Sequence, residues 1–382
     1  MVVTEMALAM LLVAASALMI RSVVRQTTVD PGFDKTKLVS GLTLLPQARY
    51  PDEARTADFY RRVLETLGRD GRVESAAAVN TMPLGGSDNY TAVAFDGDAQ
   101  AQRERSAGDM IVSPGYFHTL RIGLAAGRDF RDSDIAASQR VAIVNQKFVE
   151  VYWPNRPDVV GSRVRIGGPD SPWSTVVGVA RDVRHSNPLT PPRPEVYRPH
   201  SQAAARGMSV VARGRGTDTA AAIRAAVYEA DREQPIFRMQ SVEDQLSQQN
   251  SGGLATTKVL GGLAGIALIL AAVGTYGVMA CLTARRIREI GIRLALGASR
   301  EGIFGSMLRS GLNLAVLGLA IGLPAAYGVA PLLRAVDPGV DGTHAGSYVW
   351  VAAVLAAVAV TACAGPAWKA MRTDPAVVLR IE

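Results

Sequence analysis

The chain has 382 residues, 48% hydrophobic and 20% charged, with a formal net charge of +7. That length holds two or three domains, and the apolar share is shifted towards membrane composition. The positive excess does not mark a nucleic-acid binder: residues 26–257 carry 28 Lys and Arg against 27 Asp and Glu, and the surplus lies in or beside apolar stretches.

Residues 1–20 are almost continuously apolar, broken by Thr4 and Glu5 and closed by Arg21. Twenty helical residues span about 30 Å, one membrane crossing. The triplet Ala15-Ser16-Ala17 fits a signal-peptide cleavage site. Against cleavage, there is no basic leader, Glu5 stands where one belongs, and Leu-Met-Ile continues past the site, so a retained helix over 1–25 is expected. The run starts at Met1 without a polar leader, as expected of a truncated or late-started copy of a longer protein.

Residues 37–45 alternate like a strand, and Tyr50-Pro51 opens a helix to about Leu67 with Phe59, Val63 and Leu67 on one face. A strand follows over 73–79. The same order returns later: strand 208–211, helix 218–231 capped by Asp218, strand 235–239. Two such βαβ-like units predict one split α+β subdomain carrying an insertion over 81–205. The insertion is rich in short strands and turns, clearest at 141–153, 162–168, 174–183 and 195–199. Ser241 and Asp244 frame a capping-box-like helix start, with Asp in place of the usual Glu or Gln. Ser251-Gly252-Gly253 predicts a flexible joint.

Three more apolar runs follow, at 259–282, 311–333 and 348–364. The first holds Gly261 and Gly265, the second Gly318 and Gly322, both pairs at the spacing that lets helices approach closely in lipid. Packing within the chain is favoured over dimerisation at Gly261 and Gly265. Pro324 predicts a kink, and Pro366 ends the last run.

Between the second and third spans lies ARRIREIGIRLALGASREGIF, residues 284–304. Ile287, Ile290 and Leu294 share a helical face, Gly297 stops that helix, and Ser299 caps the next with Glu301 in its first turn. Five arginines from Arg285 to Arg300 suit any cytoplasmic loop, but they do not explain an apolar stripe. Such a stripe lies on lipid headgroups or docks into a protein, and spacing leaves both open.

The longer run TYGVMACLTARRIREIGIRLALGASREGIF resembles the second-helix-and-loop signature of MacB/FtsX-like ABC-transporter permeases. The likeness covers nearly the whole chain. The passage IRS…VDPGFD, from Ile20 to Asp34, is similar to the end of the family's first helix. Asn145 falls in a VN..F junction, Gly161 at a GxRxR hairpin, 177–182 in a VGVxxDV strand and 197–199 in a YRP strand, all resembling the family's extracytoplasmic core domain. The tail WKAMRTDPAVVLRIE resembles its basic ending. Read from the residues alone, Asn145, Gly161 and the Arg181–Asp182 pair are structural.

The resemblance implies a membrane protein of α+β class. Helix 1 over 1–25 is followed by a MacB-like core domain over 26–256, helices over 257–283, 305–334 and 348–367, a coupling segment over 284–304, an outer link over 335–347 and a tail over 368–382. In the family the segment after the second helix is the coupling helix that meets the ATPase. That assigns coupling to Arg286, Glu289, Ile290, Gly291, Arg293, Leu294, Gly297, Ala298 and Ser299. The expected partners are a cytoplasmic ABC ATPase subunit, a second permease copy in a homo- or heterodimer and membrane lipid, with room for a periplasmic adaptor; nucleic acid is not among them. The bacterial inner membrane is the expected place. Charge asymmetry puts the 284–304 loop and the Lys369, Arg372 and Arg380 tail in the cytoplasm.

An ATPase needs GxxxxGK[ST] to cradle phosphate. The five lysines, at 35, 37, 147, 258 and 369, never follow a glycine. No cofactor of this chain is therefore expected; ATP and Mg belong to the partner. HExxH, GxSxG and CxxC do not occur, and the four histidines are scattered. The reading is a non-catalytic permease subunit that transmits ATP-driven motion outward, for drug, peptide or lipoprotein-type cargo. A membrane-anchored receptor or scaffold independent of an ATPase is the alternative, and it leaves the apolar stripe without a purpose.

Overall fold

The computed structural model describes residues 2–371 apart from 86–88, 97–104, 157, 186–187, 217, 288, 291, 293–295, 297–298, 337–339 and 341. The chain divides into two compact units, Thr28–Gln249 and a second made of Met1–Thr27 with Asn250–Glu382.

In the first unit the split subdomain is real. Strands β1 (Leu38–Leu44) and β2 (Val73–Val79) flank helix α2 (Glu53–Arg69). Much later β10 (Gly207–Gly214) and β11 (Ile236–Ser241) flank α5 (Thr219–Ala230). The four strands pair antiparallel in the order β11-β1-β10-β2. Helix α2 forms because its Asp52 N-cap accepts from the Arg55 amide at 2.8 Å and its apolar residues recur at helical spacing. Phe59, Tyr60, Val63 and Leu67 are buried against Ala222, Ile223, Ala226 and Val227 of α5 and the sheet. Helix α5 begins after Asp218 as expected, but the Asp218 side chain makes no capping bond.

The insertion is a closed ring of strands. Strands β3 (Tyr90–Phe95), β4 (Arg105–Val112), β6 (Val141–Asn145), β7 (Arg163–Ile166), β8 (Trp173–Ala180) and β9 (Glu195–Pro199) pair in the circuit β4-β3-β7-β8-β6-β9-β4, while β5 (Leu124–Gly127) pairs with β8. Closure removes the open edges that short strands would otherwise expose. Phe95, Phe148, Trp153, Val164 and Val176 fill one of its cores. A second core joins ring and split sheet through α3 (Tyr116–Leu120), whose Phe117 stacks edge-on against Tyr197 with ring centroids 5.0 Å apart.

The resemblance-bearing residues have structural duties here. Asn145 Oδ1 accepts from the amides of Phe148 and Glu195, both at 2.9 Å, so it caps α4 (Gln146–Tyr152) and ties β6 to β9. Asp182 does not pair with Arg181; its Oδ1 accepts from the Lys147 amide at 2.8 Å at the start of the same helix. Gly161 has φ +92°, a left-handed turn that a side chain would strain.

His200 is buried, and the loss of water pushes its imidazole down to about 4. The unfolded chain therefore binds this proton first. Stability is expected to fall as pH drops from about 6.5 to about 4, by about 3 kcal/mol for a shift of this size. Urea midpoints across that range should show the loss, and His200→Gln should flatten it; an unflattened profile would place the acid sensitivity elsewhere.

The second unit holds four helices long and apolar enough to cross a membrane: α1 (Val2–Thr28), α6 (Val242–Arg285), α7 (Arg300–Val336) and α8 (Ala345–Met371). Helix α1 is the central one. Met6, Met10, Val13, Ala14 and Leu18 are buried against Ala264 and Ala271 of α6, Ala315 and Ala326 of α7, and Tyr348, Val351 and Leu355 of α8. Ile269, Val273, Val316, Ile321 and Val349 of the other helices point outward, the apolar surface a bilayer covers. Ser16 Oγ donates to the Leu260 carbonyl at 2.8 Å, a polar tie between α1 and α6.

Two expectations fail here. Ser251-Gly252-Gly253 does not interrupt α6, which begins after the Ser241 cap, whose Oγ accepts from the Asp244 amide at 3.0 Å. Pro366 likewise lies inside α8, and Pro324 and Pro331 lie inside α7.

Candidate functional site

The 284–304 segment sits between the C-terminal end of α6 and the N-terminal end of α7. Ile287, Glu289, Ile290 and Ile292 are helical, the Ile290 amide bonds the Arg286 carbonyl at 2.9 Å, and the Leu296 amide bonds the Ile292 carbonyl at 3.0 Å. Ser299 caps α7 as its sequence predicts: its Oγ accepts from the Gly302 amide at 3.2 Å.

The described apolar residues of the segment divide by burial. Ile290 is only 5% exposed, enclosed with Met279 of α6, Ile303 and Met307 of α7, and Cys363 and Ala367 of α8. It anchors the segment to its own bundle and is not available to a partner. Ile287, Ile292 and Leu296 are 39%, 44% and 82% exposed. Ile292 and Leu296 were not among the expected site residues, although their i,i+4 spacing was visible in the sequence. Arg286, Glu289 and Ser299 are exposed. Gly291, Arg293, Leu294, Gly297 and Ala298 lie outside the described residues.

The two GxxxG pairs behave differently. A Cβ at Gly318 would meet Met6 Cβ at 2.5 Å, and one at Gly322 would meet Met10 Cβ at 2.7 Å and Ala7 Cα at 3.1 Å, so these glycines let α7 close on α1. A Cβ at Gly261 or Gly265 would meet nothing within 4 Å. Among the described residues, none closes on that pair as Met6 and Met10 close on the other. Gly322→Leu should lower the thermal midpoint of the detergent-purified chain, costing about 1–3 kcal/mol through overpacking, whereas Gly265→Ala should leave it within about 0.5 kcal/mol. Equal midpoints for the two variants would contradict this assignment of the contacts.

A family model described as a MacB-like periplasmic core domain matches residues 6–230, more than half of the chain, and one described as FtsX-like permease C-terminal matches residues 261–375. The chain belongs to the MacB/FtsX-like ABC transporter permeases. This MacB/FtsX-like permease is 28% identical over 286 residues to an uncharacterized ABC transporter permease, YknZ, of Bacillus subtilis, covering 71% of this chain and 69% of that protein. It is 25% identical over 350 residues to the macrolide export ATP-binding/permease protein MacB of Hahella chejuensis, covering 82% of this chain. It spans about half of that relative, 51%. Among solved structures, the periplasmic region of MacB from Actinobacillus actinomycetemcomitans covers 58% of this chain and 94% of that one, at 14% identity and a TM-score of 0.39. The permease thus has membrane helices and an extracytoplasmic-type domain between the first and second of them.

Proposed function

We propose that this permease transmits ATP-driven motion from a separate cytoplasmic ATPase to its extracytoplasmic domain. The observation that supports this reading is the coupling segment: Ile290 locks it to the bundle while Ile287, Ile292 and Leu296 stay exposed. A locked helix can carry force, and outward apolar side chains beside arginines fit a protein groove. In this reading ATP and Mg bind the ATPase. Positive charge on the 284–304 loop and on the tail supports a cytoplasmic location for both, with the Thr28–Gln249 unit outside a bacterial inner membrane. The working form is a permease dimer, homo- or heteromeric, with room for a periplasmic adaptor, and the cargo is of drug, peptide or lipoprotein type. Copurification of the chain with candidate ABC ATPases, wild type against Ile292→Asp/Leu296→Asp, tests the coupling site; an ATPase held equally by both would refute it.

A further inference from the structure

A groove of about 630 Å³ opens in the membrane unit between α1, α6 and α8. Val13 and Ala17 of α1, Leu268 of α6 and Trp350 of α8 make it apolar. Gly261 and Gly265 run along it, and the side chains they lack leave space that no other helix fills. One end carries Arg21 and Arg25, a helical turn apart, and the described lining residues include no acidic one. Arg21 reaches across the gap, its Nη1 donating to Ser347 Oγ of α8 at 3.4 Å. From Val13 to Arg25 the helix rises about 18 Å, the scale of one lipid tail with its head at the arginine end.

We propose that the groove holds one anionic phospholipid of the surrounding bilayer, its acyl chain along Gly261 and Gly265 and its phosphate at Arg21 and Arg25. The shape selects a hydrocarbon tail, because an apolar hollow within the bilayer gains by filling with chain methylenes. The charge selects the head. Two guanidiniums at a membrane boundary attract an anionic headgroup and can hold a phosphate through charge-assisted hydrogen bonds. A second copy of this chain offering its own α6 is a poorer match, since the only charged residue between 255 and 284 is Lys258, of the same sign as the arginines.

The test uses the full chain reconstituted in bilayers of equal phosphatidylglycerol and phosphatidylcholine, then released into detergent for native mass spectrometry of retained lipid. Wild type is expected to keep one phosphatidylglycerol per chain in preference to phosphatidylcholine. Arg21→Gln/Arg25→Gln should cut that preference by about 30-fold, the contribution of two basic side chains at a membrane surface. Gly265→Leu should expel either lipid by filling the groove beside Leu268 and Ala17, since its Cβ meets no neighbour within 4 Å and the rest of the side chain extends into the open space. Equal retention of the two lipids by wild type would overturn the proposal, as would phosphatidylglycerol retention untouched by both variants. A Gly265→Leu chain that keeps its lipid but loses self-association would assign the groove to a second copy, and would overturn it equally.

Discussion

Changing Ile292 and Leu296 together to Asp is expected to weaken ATPase binding at least about 100-fold, because an unpaired carboxylate in an apolar groove costs several kcal/mol. Both side chains are substantially exposed in the free chain, so the double variant should fold and insert normally. Ile290→Asp is a different experiment. It places the carboxylate among Met279, Ile303 and Met307, and should loosen the segment itself, lowering thermal stability as well as binding. Charge reversal at exposed Arg300 should matter little, since charges at an interface rim are screened. If the stripe instead lies on lipid headgroups, the double variant would loosen from the membrane surface while stimulation of ATP hydrolysis persisted. The readouts are ATPase copurification and ATP turnover measured on the same preparations. Binding and turnover both unchanged would remove Ile292 and Leu296 as the contact with an ATPase.

Arg213→Met is expected to destabilise the Thr28–Gln249 unit by about 3–5 kcal/mol, a large share of a typical domain's stability. Arg213 is 1% exposed, lying on β10. Its Nε donates to the Thr119 carbonyl at 3.0 Å, Nη1 to the Thr36 carbonyl at 2.6 Å and Nη2 to the Asp34 carbonyl at 2.8 Å. Methionine fills some of the volume and leaves those acceptors without this donor, each costing about 1–3 kcal/mol where buried. Arg121 supplies the control. It also reaches Asp34, at 2.7 Å, but is about half exposed, and Arg121→Ala should cost less than about 1 kcal/mol. Pulse proteolysis of the full chain across a urea series would separate the two, and equal midpoints would remove Arg213 as an anchor.

The same cluster carries a pH signature. Burial would raise the Asp34 carboxyl, but hydrogen bonds from Thr36 and the Arg213 and Arg121 guanidiniums outweigh it and hold it below its usual value. A depressed carboxyl stabilises the fold above its unfolded pKa, and that stability is lost as pH falls through the folded value. The Asp34 loss therefore comes at lower pH than the His200 loss, and Arg213→Met should shrink it.

Much of this architecture was legible along the chain. Four runs of about twenty apolar residues have few other uses than crossing a bilayer, and the strand-helix-strand order at both ends of the hydrophilic region announced a split subdomain with an insertion. The charge count placed the basic excess at the membrane before any helix was seen. Ser299 and Ser241 marked helix starts correctly, because a cap depends on residues three positions away. Ser251-Gly252-Gly253 lies inside α6 although its local composition favours a break.

By itself, then, the sequence determined the spans, the order of the elements and the period of each apolar face. Tertiary structure alone decided what lies opposite each face. Gly318–Gly322 and Gly261–Gly265 have identical spacing, yet one pair is closed by Met6 and Met10 and the other is open. Ile290 and Ile292 are two positions apart in one helical segment, yet the first is held inside the bundle and the second is exposed. Periodicity reports which residues share a side of a helix. Whether that side meets a neighbour depends on contacts hundreds of residues away, such as Ser16 with Leu260 and Arg21 with Ser347, which no local pattern encodes.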